Sequence, residues 1–144
     1  MIRGSCHCGN IQFDLDWAIP DEGIPVRKCS CTFCVKHGSA WTSNLDGERG
    51  IAIGDASLVS QYRFGTRTAD FNVCTVCGIV PVVTCRIDGR DYAVVNVNTF
   101  EHRDKLSFAE SPSNFDGEGT DSRLERRKRN WISRVHIKTL VAGR

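Results

Sequence analysis

Seven of the eight cysteines fall into three tight clusters: Cys6 and Cys8, then Cys29, Cys31 and Cys34, then Cys74 and Cys77. Cysteines this close in sequence bridge poorly to each other, because a disulfide needs Cα atoms about 4.4–6.8 Å apart with converging Cβ vectors. The same spacing suits chelation, since two thiolates from one turn can grip a soft cation at about 2.3 Å with tetrahedral angles. Four ligands close a structural zinc site, whereas three leave a position for water or substrate. The seven divide most naturally into four, from Cys6-x-Cys8 and Cys74-x-x-Cys77, and three, from Cys29-x-Cys31-x-x-Cys34. Gly9 and Gly78 directly follow the two-cysteine clusters, where a residue without Cβ lets backbone amides turn toward sulfur, and this favours pairing those two. Metal there would stitch an N-terminal strand to the middle of the chain and offset a modest core, with about 10–16 kcal/mol of apparent binding energy.

Around the clusters stand a few further candidates. His37 lies three residues past Cys34, within the ligand spacing of zinc sites. As a fourth ligand it would close the three-cysteine site; outside the shell it could relay a proton, and a polar histidine in the turn before Gly38 is the plain alternative. It is the candidate catalytic residue. The His7 side chain is expected to point away from the metal. Cys85 shares a strand face with Val83 and Ile87 and reads as a small buried hydrophobe. Trp17 and Trp131 read as packing, and Trp41 as packing or as the wall of a pocket.

The elements that must hold these residues are mainly strands. Ile11, Phe13, Leu15 and Trp17 alternate with polar residues, the period of a half-buried strand. The runs 82–87 and 92–97 flank Asp88-Gly89, a hairpin signal, and 58–64 and 68–73 form a second pair across Gly65. Residues 110–121, rich in Ser, Pro, Asn, Asp and Gly, read as loop. Leu124, Trp131, Ile132 and Val135 recur at helical offsets among basic residues, which predicts a short amphipathic helix over about 123–135, its arginines on the solvated face.

With 144 residues, 40% hydrophobic and 25% charged, the chain is sized for one globular domain spanning 1–144. No stretch approaches the about 20 apolar residues of a membrane helix. Met1-Ile2-Arg3-Gly4-Ser5-Cys6 lacks the apolar run of a secretory signal, so the expected compartment is the cytoplasm, where thiols stay reduced and clustered cysteines serve metal or catalysis. A net charge of +2 is too small to imply a nucleic-acid partner.

Three motifs in order, Gly4-Ser5-Cys6-His7-Cys8-Gly9 with Ile11 and Phe13 behind it, Cys29-Ser30-Cys31-Thr32-Phe33-Cys34 with Gly38, and Phe71-Asn72-Val73-Cys74-Thr75-Val76-Cys77-Gly78, span roughly the first half of the chain. Together they resemble the glutathione-dependent formaldehyde-activating enzyme family, which includes centromere protein V. The resemblance implies a small zinc-stabilised fold of the β-tent type. It also implies two Zn²⁺ ions per chain, one structural on Cys6, Cys8, Cys74 and Cys77, the other at the substrate site on Cys29, Cys31 and Cys34. The reaction it implies joins the glutathione thiol to formaldehyde, formally a carbon-sulfur lyase run in reverse.

That chemistry suits a three-thiolate zinc, because a coordinated thiol is deprotonated and the thiolate is the nucleophile. Three thiolates leave the site formally at −1, so the chemistry also depends on which donors face the sulfurs. The expected function is therefore a zinc-dependent carbon-sulfur lyase-type enzyme acting on a glutathione or other small-thiol adduct of formaldehyde or a related carbonyl. The alternative is a non-catalytic zinc-stabilised module that binds a protein or nucleic-acid partner through its basic C-terminal helix.

Overall fold

Alternation shapes the first hairpin of the computed structural model, which describes residues 1–44, 47–115 and 117–141. In β1 (Ile2–Ser5) and β2 (Ile11–Asp16) the side chains of Ile2, Ile11, Phe13 and Leu15 are buried and their neighbours wet. Next come β3 (Ile24–Cys29), α1 (Thr32–His37), β4 (Trp41–Thr42) and β5 (Glu48–Asp55). Two hairpins follow: β6 (Val59–Tyr62) with β7 (Asp70–Cys74), and β8 (Val82–Ile87) with β9 (Arg90–Asn96). The β8–β9 turn is the expected Asp88-Gly89, both residues at positive φ, as a tight two-residue hairpin requires. The chain closes with β10 (Phe108–Ser113), α2 (Thr120–Asn130) and β11 (Arg134–Val141).

These strands form two sheets, ordered β1-β2-β5-β11 and β10-β3-β4-β9-β8-β7-β6. The mainly β class, two sheets with one short helix toward the C-terminus, is as the sequence led us to expect. Phe13 and Leu15 of the smaller sheet pack on Val26 and Val95 of the larger. The larger sheet is buried on its other face too, where Trp41, Val83, Cys85 and Val94 meet Trp131. Strand β9 shows the division: Ala93 and Val95 face one side, Tyr92 and Val94 the other. Burial of Val82, Val83 and Val95, each at most 2% exposed, contributes roughly 1.5–3 kcal/mol apiece.

Two expectations are corrected. The helix spans Thr120–Asn130, not 123–135: Trp131 is already extended at φ −79, ψ 157, and Ile132 forms a β-bridge with Ala93. The helical spacing of Trp131, Ile132 and Val135 was a coincidence of a helix end, a bridge and the start of β11. Of the stretch 110–121 read as loop, residues 110–113 belong to a strand, β10, running parallel to β3, and residues 120–121 open α2. Pro112 is tolerated because β10 is the edge of its sheet; Asp116, in the same stretch, lies outside the described residues. Among the described residues no helix is long and apolar enough to cross a membrane.

Candidate metal centres and the adjoining cavity

Two hairpin ends bring the first four cysteines together. Cys6 closes the β1–β2 turn by donating its N–H to Ile11 O (2.9 Å), and Cys74 does the same at β7–β8 toward Ile79 O (3.0 Å). Gly9 and Gly78, at φ 85° and 79°, turn each knuckle back so that their N–H groups reach Cys6 O and Cys74 O. The Sγ atoms of Cys6, Cys8, Cys74 and Cys77 lie within 4.8 Å of one another. The Cys6–Cys8 and Cys8–Cys74 sulfurs are 3.8 and 3.4 Å apart. A tetrahedron with Zn–S bonds of about 2.3 Å has edges of about 3.8 Å, so the spacing fits a zinc ion.

The electrostatics of this group also ask for a cation. Burial pushes the Cys6 thiol up to about 12, with Ile11 N–H as a partial counterweight. At Cys77 burial raises the value too, but the N–H groups of Cys8 and Ile79 and the neighbouring thiols outweigh it, bringing the thiol down to about 6. Four packed thiols thus cannot ionise together unaided; a divalent ion would deprotonate them all.

The second group grows from the junction of β3 and α1. Cys29 ends β3, and Cys31 is the N-cap of α1, its Sγ accepting the Cys34 N–H at 3.4 Å. The three sulfurs lie within 4.8 Å of one another. Cys29 Sγ accepts the Cys31 N–H at 3.5 Å, and Cys34 Sγ accepts Trp41 Nε1–H at 3.3 Å. The hydrogen bond to Cys29 and then burial drive the Cys34 thiol far upward, the mark of sulfurs crowded without a positive ion between them. Each cluster could hold a metal ion such as zinc. The donors that the charge argument asked about are these N–H groups, all aimed at the protein's own sulfurs.

A cavity of about 290 Å³ opens on the three-sulfur group. Trp41, Val83 and Val94 form its floor on the larger sheet, and Phe64 and Phe71, 4.9 Å apart, one wall. The opposite wall is α2 and its C-cap, which contribute Arg123, Arg126, Arg127 and Trp131. Trp41 is therefore both packing and pocket wall, and Cys85 is buried as expected.

The expectation that the arginines of α2 form a solvated face is overturned for these three. Arg127 is only 6% exposed; its Nη1 donates to Thr68 Oγ1 (2.7 Å) and Cys85 Sγ (3.3 Å), and its guanidinium lies over the Trp131 ring. Arg126 makes a paired contact with Glu118 and sits 3.6 Å over the Phe115 ring. Arg129 and Arg134 do face solvent.

His37 is placed differently from the cysteines. It ends α1 and stacks on Phe33 at 5.4 Å, and it is neither grouped with the three sulfurs nor part of the cavity lining. Burial lowers its pKa, so the ring is neutral at neutral pH. His7 is exposed. Sequence reasoning passed over Arg27, which lines the cavity; its position two residues before Cys29 on a strand was the available signal, because i and i+2 share a face.

No curated protein matches the chain. Its fold is similar to the crystal structure of a Rhodobacter sphaeroides protein, a structural-genomics target, at 28% identity over 76% of this chain and 99% of that one, TM-score 0.52. Residues 1–113 match the family described as glutathione-dependent formaldehyde-activating enzyme, a span that holds both cysteine groups and ends with β10. On that match over most of its length, the chain belongs to the glutathione-dependent formaldehyde-activating enzyme family.

Proposed function

We propose that this protein is a zinc-dependent carbon-sulfur lyase-type enzyme that makes or breaks the adduct of a small thiol, such as glutathione, with formaldehyde or a related carbonyl. The observation that carries this reading is that the three-sulfur group, one ligand short of a closed tetrahedron, faces a ligand-sized cavity. In this reading Cys6, Cys8, Cys74 and Cys77 hold a structural zinc, and Cys29, Cys31 and Cys34 hold the other. An ion at the second site would supply a Lewis acid and lower the pKa of an incoming thiol.

The protein's own groups do the rest. In the forward direction a carbon-sulfur bond forms, the carbonyl π bond breaks, and the thiol proton ends on the new hydroxyl oxygen. The Trp41 Nε1–H and the amides at Cys31 and Cys34 draw charge from the protein sulfurs, which leaves the substrate sulfur the stronger nucleophile. Arg27, on the Cys29 side of β3, would stabilise the oxygen as its charge grows. Phe64, Phe71 and Trp41 limit water around the reacting atoms. His37, stacked on Phe33, which in turn stacks on Phe64 of the lining, is proposed to steady the aromatic wall and not to touch substrate.

Cobalt-substituted protein titrated with glutathione provides the test. Thiolate ligation at the second site should raise the sulfur-to-cobalt charge-transfer absorption in proportion to one added thiol per chain. A spectrum indifferent to thiols would instead support the non-catalytic binding module and overturn the proposal.

A further inference from the structure

The cavity is walled by four arginines, and the carboxylates that answer them are unevenly shared. Glu118 is the partner of both Arg126 and Arg123. Arg27 donates to Ser43 Oγ and stands beside Cys29. Arg127 has no ion-pair partner among the described residues, although it is 6% exposed. Its Nη1 is taken by Thr68 Oγ1 and Cys85 Sγ, while its buried Nε has no hydrogen-bond partner among the described residues. A buried cation without a direct ion pair is costly to keep. Folds that keep such a group commonly meet it with an anion, and Arg127 lines the cavity that the three sulfurs also line.

Resting on the thiol reading above, we propose that Arg127 is a carboxylate subsite, so that the thiol accepted by this cavity carries an acid group. The sulfur end would meet the Cys29, Cys31 and Cys34 group and the acid end the guanidinium of Arg127, with Phe64 and Phe71 alongside the carbon chain. Trp131 beneath the guanidinium and Thr68 at Nη1 fix its plane, which suits a charge-assisted contact with a carboxylate. The cavity, at about 290 Å³, is at the lower end of the size of small-molecule sites, which favours a compact mercapto acid. Arg127 lies beyond residue 113, where the family match ends, so this selectivity would arise outside the metal-bearing strands.

Calorimetric titration of the zinc-loaded protein with 3-mercaptopropionate and with 3-mercaptopropan-1-ol, equal in length and differing in the acid, tests the proposal. Wild type should bind the acid about 10- to 100-fold more tightly, the worth of one charge-assisted contact. Arg127→Gln should bring the two thiols to about the same affinity while leaving the alcohol unchanged. Arg127→Lys, which keeps the charge if the glutamine variant folds poorly, should retain a preference of about tenfold. Arg126→Gln, whose cation already answers Glu118, should change the ratio by less than about threefold. Equal affinities in wild type, or an undiminished preference in Arg127→Gln, would overturn it. If neither thiol binds wild type, the thiol reading of the site fails and this proposal with it.

Discussion

Cys31→Ser perturbs the three-sulfur group with little collateral change. Cys31 caps α1 with φ −62°, ψ 154° and accepts the Cys34 N–H. Serine is among the best N-cap residues, so the helix start survives at a local cost within about 0.5 kcal/mol. What the change removes is a soft ligand, leaving two sulfurs where three stood. Linkage sets the size of the effect: with free zinc at about 100 times the dissociation constant of the site, binding stabilises the native state by about 2.7 kcal/mol. For a chain of 144 residues that corresponds to roughly 5–11 °C in the melting midpoint. The variant should therefore carry one metal ion per chain where wild type carries two. In zinc-buffered solution it should melt lower by that interval, and the gap should narrow as free zinc falls toward the wild-type constant. Atomic spectroscopy and scanning calorimetry at fixed free zinc measure both. Two ions retained by the variant, or a gap that ignores zinc, would refute the reasoning.

Cys74→Ala, at a residue 0% exposed where both sheets meet, should cost more than about 3 kcal/mol and leave little folded protein by circular dichroism, because it opens the four-sulfur group and leaves its partners buried. Arg49→Met should stabilise the fold by about 1–4 kcal/mol in urea titrations: Arg49 is 1% exposed, burial lowers its pKa to about 9 against the pull of Asp14, and among the described residues none of its guanidinium nitrogens has a hydrogen-bond partner. Arg126, with Arg123 and Arg127, holds the Glu118 carboxyl below its ordinary value of about 4.5. The unfolded chain then binds the proton first as pH falls, so this stabilisation is present above that pH and lost as pH drops through the lowered native value. Glu118→Gln should flatten the acid limb of stability against pH, and an unchanged limb would count against the pairing. His37→Ala should lower turnover by less than about tenfold, since a group in contact with the reacting atoms would be worth about 10²–10⁴.

Local chemistry made the candidate metal centres legible in the sequence. Cys6 and Cys8, or Cys74 and Cys77, sit in one turn each, and a turn is a short-range object that spacing describes well. The β8–β9 hairpin was equally readable because Asp88-Gly89 fixes both its turn and its register. The cavity wall was not readable in the same way. It depends on β11 running parallel to β5 and on Ile132 bridging Ala93, pairings between distant segments that leave no periodic trace. Those contacts turn α2 inward and bury Arg127, whereas amphipathic spacing alone assigns an arginine to water. Pro112 misled for a related reason, since only the position of β10 at a sheet edge makes a proline acceptable in a strand.

The cavity is assembled from two stretches of chain, one within the family match and one beyond it. Residues 1–113 carry every clustered sulfur, while Arg123, Arg126, Arg127 and Trp131 arrive from the part beyond it. The sulfurs and the basic wall that faces them thus lie in different parts of the chain. Substitutions in the second would change what the cavity accepts without touching the sulfurs of the first, provided that Ile132 keeps its bridge and β11 its register. A library confined to residues 117–131 would be the economical route to altered specificity, and grafting the tail of one relative onto the sulfur-bearing portion of another is the natural way to learn how freely the two exchange.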